Sequence, residues 1–209
     1  MTECTPSPPQ SSQPQPESTL PELREEPGRL RRMVLIGLIV CACLLVDQVT
    51  KVVARAELPS LTPITLLGDT IRLQYVENAG AMLGLGSEMA PQTRFFVFIV
   101  LVAVALAGLL VFAILRRQLS HGRTIAIALI LGGGISNLVD RIINDGVVRD
   151  FLNVGFGPVR TGIFNVADMV ILTGLSVLLI SELPSRGSKA QDEDAPSTEE
   201  SEEGATHAP

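Results

Sequence analysis

The stretch Thr124–Ile143 reads TIAIALILGGGISNLVDRII. Its first half is apolar; then come three glycines, Gly132, Gly133 and Gly134, and the polar residues Ser136, Asn137, Asp140 and Arg141. About 20 residues is the length a helix needs to cross ~30 Å of hydrocarbon. A bilayer core offers backbone groups no water, so helix is the default state there. The glycines allow a neighbouring helix to approach closely. Asn137, Asp140 and Arg141 fall at i, i+3, i+4 and share a face. Ionisable groups in such a helix cost several kcal/mol and face the protein interior or a wet cavity. This one segment predicts a membrane helix inside a bundle.

Three more apolar stretches of similar length flank it: Val34–Ala54, Phe95–Leu115 and Ile163–Leu183. The expected fold is an all-α integral-membrane protein, a bundle of four transmembrane helices. Composition agrees: 46% of the 209 residues are hydrophobic and the mean hydropathy is +0.37. The chain length suits one domain, expected over residues 29–183. Residues 1–28 are rich in Pro, Ser, Gln and Glu, and residues 184–209 carry an acidic run from Gln191 to Glu203. Both tails bury too little apolar surface to offset chain entropy and are expected to be disordered.

The net charge of -6 comes from acids crowded into the tails, while basic residues flank the apolar segments. It gives no support for a nucleic-acid partner. Arg29, Arg31 and Arg32 precede the first segment, Arg116, Arg117 and Arg123 separate the second and third, and Arg186 and Lys189 follow the fourth. With four crossings all three clusters fall on one side, which places both termini in the cytoplasm. The first segment resembles a signal peptide's n- and h-regions, yet it lacks a small-x-small site and runs into Asp47 and Lys51. It is expected to stay as an uncleaved helix. In the first outward loop, Ile64–Leu67 and Ile71–Tyr75 flank Gly68-Asp69-Thr70, which suggests a small extracytoplasmic hairpin or sheet at the membrane surface. The Gly-rich stretch Asn78–Gly86 follows it.

The polar residues converge in depth. Asp47, Lys51 and Arg55 share a face of the first helix, and Asp47 lies ~20 Å up from Val34. Asp140 lies ~24 Å up from Thr124. Asp150 follows in an apolar stretch, and Asp168 sits about one turn inside the outer face of the fourth helix. Asp47 with Lys51 could be a self-neutralising structural pair. Several acids at one level, from three helices and a loop, point instead to a site.

His121 and His207 are too few and too scattered for a His-based metal site. Cys41 and Cys43 sit two apart on a helix and point to different sides, Cys4 lies in a tail, and no disulfide framework follows. With no histidine in the apolar core, Ser–His and Cys–His nucleophiles lack a base. Carboxylates could hold a metal, although Lys, Arg and Asn nearby make one unnecessary for neutrality. Two close carboxylates have their own chemistry. They cannot both ionise, so one holds a proton near neutral pH and the pair can activate water against a carbonyl.

Five ordered blocks then carry a resemblance: Asp47-Gln-Val-Thr-Lys51, Glu77-Asn-Ala-Gly80, Gly133-Gly-Ile-Ser-Asn-Leu-Val-Asp-Arg141, Val147-Val-Arg-Asp-Phe151 and Phe164-Asn-Val-Ala-Asp168. Together they resemble the signature of lipoprotein signal peptidase, signal peptidase II, across roughly Val34–Leu183. The resemblance implies a four-helix aspartic peptidase of the bacterial cytoplasmic (inner) membrane. It implies cleavage of prolipoproteins before a diacylglyceryl-modified cysteine, with no metal or organic cofactor. The catalytic aspartates map onto Asp150 and Asp168. Asp47, Lys51, Asn78, Asn137, Asp140, Arg141 and Asn165 map onto residues that shape the site or position substrate. The implied partners are diacylglyceryl-prolipoprotein and membrane lipid, and the chain is expected to be a monomer. The family's motif often reads Val-Val-Asp-Phe; here Arg149 is interposed and Asp150 is the match. Asp140 is the rival for a place in the pair.

Two other classes stand beside this one. A small ion transporter would place its acids nearer the midplane and show internal repeats, and none is visible. A structural membrane subunit would not need Asp150 and Asp168 at one level. The Gly-x-Gly-Asp of presenilin-like and prepilin peptidases is absent, as is His-Glu-x-x-His.

Overall fold

The computed structural model describes residues 27–58, 62–81, 84–116 and 118–182. Its order is α1 (Pro27–Glu57), β1 (Ile64–Leu66), β2 (Ile71–Asn78), α2 (Pro91–Leu115), α3 (His121–Ile143), β3 (Val148–Phe156), β4 (Val159–Arg160) and α4 (Val166–Glu182). The two expected tails fall almost wholly outside the described residues, except that Pro27 and Gly28 form the first turn of α1.

α1, α2 and α3 are long and apolar enough to cross a membrane. α4, at 17 residues, is shorter than the apolar stretch that predicts it. Its expected first residues, Ile163–Asn165, lie outside the helix because Phe164 bridges to Leu152 of β3. Large apolar side chains cover the outer faces: Leu38, Leu45, Leu115 and Leu179 are all exposed. Water would penalise such a surface, whereas lipid is its natural solvent.

α3 is the central helix. Of its apolar span 56% is buried, against 11% for α1 and 6% for α2. It packs on all three other helices, and its glycines explain how. A Cβ on Gly132 would meet Cys43 of α1, one on Gly133 would meet the Ala167 carbonyl of α4, and one on Gly134 would meet Leu106 of α2. One turn of glycine thus seats three neighbours, where the sequence alone indicates close approach without naming the partners.

The bundle is divided along its length. Ile36, Ala113, Ile127, Ala128 and Leu131 form an apolar core at one end. Near the other end Asp47, Lys51, Ser136, Asp140 and Asn165 are buried. Above that end lies a four-stranded antiparallel sheet in the order β1-β2-β3-β4. β1 and β2 form the expected hairpin, its turn carrying Leu67, Gly68 and Asp69 with positive φ. β3, however, was not expected. Its alternation is masked because its first four residues are all buried, so they give no in–out pattern to read. β2 pairs with β3 so that Val76 faces Asp150 and Asn78 faces Val148.

Candidate active site

The first turn of α4 places Asp168. Asn165 caps the helix: its Oδ1 accepts the Asp168 backbone N–H at 3.0 Å, and Asp168 Oδ2 accepts the Asn165 N–H at 3.3 Å. This is a capping box made by Asn-x-x-Asp. The Ala167 N–H, another donor the helix leaves open, goes to Asp47 Oδ1 of α1 at 2.8 Å. The positive end of the α4 dipole therefore lies beside the carboxylates of Asp47 and Asp168.

Asp150 comes from β3. Asn165 Nδ2 donates to its Oδ1 at 2.6 Å, and Asn78 Nδ2, from the end of β2, donates to its Oδ2 at 2.9 Å. Asp150 is 2% exposed. Burial pushes its carboxyl up to about 6; the two amide donors pull it down, and the charge of Asp168 raises it again. Its proton thus titrates close to neutrality.

Two asparagines join the acids. Asn137 Nδ2 donates to Asp168 Oδ1 at 2.8 Å, while Asn137 Oδ1 accepts from Asn165 Nδ2 at 3.2 Å and from Lys51 Nζ at 2.9 Å. Among the described residues no hydrogen bond links the two carboxyl groups directly. Asn165 bonds to both acids, and Asn137 bonds to Asp168 and to Asn165.

Below lies a charged layer. Lys51 Nζ is 2.6 Å from Asp47 Oδ2 and 2.9 Å from Asp140 Oδ2, with all three side chains fully buried. Ser136 donates to Asp47, and Gln48 donates to Ser136 and Asp140. Asp140, the rival for the pair, is fully engaged here and makes no hydrogen bond to Asp150 or Asp168. Arg141 turns the other way. Its Nη2 donates to the Gly80 carbonyl at 2.7 Å and its guanidinium lies over the Phe98 ring at 5.4 Å. Phe98 sits in a π-helical segment, Phe96–Leu101. Gly80 has no room for a Cβ, which would lie 2.4 Å from the Leu85 carbonyl. A cavity of about 380 Å³ opens beside Arg141 between α2 and α3, and it does not reach either acid of the pair.

The structure brings Asp47, Lys51, Asn78, Asn137, Asp140, Arg141, Asp150, Asn165 and Asp168 into one connected polar assembly. Sequence reasoning missed Gln48, Ser136 and Arg149 as members. Ser136 lies one turn before Asp140, which was a usable signal; Arg149 offered only its charge in an apolar run.

Lipoprotein signal peptidase of Mycobacterium tuberculosis is 34% identical over 165 residues, covering 77% of this chain and 75% of the relative. That of Maridesulfovibrio salexigens is 30% identical over 154 residues, 73% of this chain and 97% of the relative. A bacterial membrane enzyme solved by the in meso method at 2.3 Å superposes with a TM-score of 0.64 at 26% identity, over 76% of this chain and 93% of that one. The profile of signal peptidase (SPase) II matches residues 39–183, which contain every residue of the polar assembly, and the chain belongs to the signal peptidase II family of peptidases.

Proposed function

We propose that this protein is an aspartic endopeptidase that removes the signal peptide of prolipoproteins, cutting before a diacylglyceryl-modified cysteine, with Asp150 and Asp168 as the catalytic pair. One observation carries the assignment of the pair. Two acids from different elements, Asp150 buried and Asp168 half-buried, are both tied to Asn165 and each to one further asparagine, Asn78 or Asn137, and Asp150 has a raised proton affinity.

The chemistry follows from one proton between two acids. The ionised carboxylate takes a proton from a water whose oxygen attacks the scissile carbonyl carbon. The protonated partner gives its proton to the carbonyl oxygen. The tetrahedral intermediate then collapses: its C–N bond breaks, the amine leaves with a proton, and the pair returns to one shared proton. The two groups titrate as a unit, so both limbs of the activity's pH profile belong to the pair.

In the proposed setting the chain crosses the bacterial cytoplasmic membrane four times as a monomer. Both termini lie in the cytoplasm, and the sheet and the site lie near the outer face. Arginines at the α1 start and the α2–α3 connection support that orientation. α4 spans about 26 Å, and the extended residues before it supply the rest of the crossing.

The test is cleavage of a diacylglyceryl-modified prolipoprotein by the purified protein in detergent, read as a shortened product. Asp150→Asn and Asp168→Asn are expected to lose at least about a thousandfold in kcat while still binding substrate. Asp140→Asn is expected to keep partial activity, and a chelator is expected to have no effect. Full activity in a folded Asp150→Asn or Asp168→Asn protein overturns the pair.

A further inference from the structure

Arg149 immediately precedes the proposed catalytic Asp150 and is only 8% exposed. Its Nη2 donates to Asp140 Oδ1 of α3 and, at 2.9 Å, to Gln48 Oε1 of α1. Its backbone N–H donates to Asp140 Oδ2 at 3.2 Å. Asp140 therefore grips β3 by main chain and side chain at the residue adjoining Asp150. Successive strand residues point to opposite faces, so the grip does not compete with Asp150 for its own partners.

The charges reinforce the geometry. Asp47 and Asp140 face Lys51 and Arg149, two carboxylates against two cations. Without Arg149 the buried layer carries one net negative charge directly under the acid pair. A buried uncompensated charge is costly, and its field raises the proton affinity of neighbouring acids.

We infer that Arg149 is a positioning residue for the reaction: it pins β3 to α1 and α3, fixes Asp150 against Asn165, and keeps the layer below the pair neutral. The inference rests on the catalytic pair proposed above. The charged or titratable groups around Arg149 are Asp140 on α3 and, on β2, Glu77 and Tyr75, which also meets Arg55 of α1, with Lys51 sharing Asp140; those acting on the pair itself are Asp47 and Lys51 of α1 and Arg141 of α3.

The experiment compares Arg149→Met and Arg149→Lys with the wild type by cleavage kinetics across pH and by thermal unfolding in detergent. In Arg149→Met, kcat is expected to fall at least about tenfold with KM within about twofold, because a displaced catalytic group costs rate more than binding. The alkaline limb of the profile is expected to move up by about half a pH unit. Arg149→Lys restores the charge and is expected to return the limb to its wild-type position and recover most of kcat. A folded Arg149→Met with wild-type kcat and pH profile overturns the inference and leaves the pair intact. Loss of rate without movement of the limb, unrescued by lysine, reduces Arg149 to a packing role and also overturns it. Full activity in Asp150→Asn overturns the pair and this inference together.

Discussion

Asp150 works against the stability of the fold that carries it. Its carboxyl is raised from 3.8 to about 6 by burial, so the folded state prefers the protonated form. Stability from this group is fully present below pH 3.8 and is lost as pH rises through about 6. The loss amounts to about 2–3 kcal/mol. Asp150→Asn, which mimics the neutral acid, is expected to melt at a higher temperature than wild type at about pH 8. That advantage should vanish by about pH 4. Melts of both proteins across that range check it, and equal stability at the alkaline end would refute the burial argument. The residue scale also shows what a sequence can display. Asp47 and Lys51 declare their pairing by spacing alone, four residues apart on one helix. The second partner of Lys51, Asp140, depends on how α1 and α3 rotate against each other. Depth alone puts Asp140, Asp150 and Asp168 at one level; motif resemblance, with Asn137 and Arg141 beside Asp140 for a structural role, favours Asp150 and Asp168.

Among the elements, α4 and α3 make the sharpest demands. The cap of α4 and the link between the acids are the same side chain, Asn165. Asn165→Ala is expected to cost about 1 kcal/mol from the lost cap and, in cleavage assays, far more rate than that instability explains. Asn165→Asp keeps a capping oxygen, removes the donor to Asp150, and is expected to be better folded than Asn165→Ala but still impaired. On α3, Gly133→Ala should destabilise more than Gly134→Ala. The added methyl meets the Ala167 backbone carbonyl at 2.5 Å in the first case and the tip of Leu106 at 2.6 Å in the second. A leucine can change rotamer, whereas a helix backbone must move, at a cost of about 1–3 kcal/mol. Unfolding of the two variants in one detergent settles the ranking. The helices were legible because length and hydropathy define a span with no reference to partners. β3 was not, because a strand buried at both faces looks like any short apolar run. Nothing local announces that Phe164 pairs with Leu152, so the early end of the fourth apolar stretch reads as helix.

For the molecule as a whole, the proposed orientation has a direct readout. With native cysteines replaced, Gly68→Cys in the β1–β2 turn should react with a membrane-impermeant maleimide in intact cells. Leu119→Cys, between α2 and α3, should react only after the cells are opened. The reverse pattern would invert the topology. The arrangement of charge within the bundle reaches further, into how the protein is made. α1 emerges first and carries Asp47 with its own counter-ion one turn away, 2.6 Å off in the finished fold. It can enter the bilayer already neutral. α3 follows with Asp140, whose cations lie on α1 and on the later β3. In the finished fold the lysine of α1 receives the acid of α3, and β3, later in the chain, supplies its second cation. If the segments enter the membrane in chain order, each buried acid of this layer has a cation on a segment already delivered, and Arg149 of β3 completes the set.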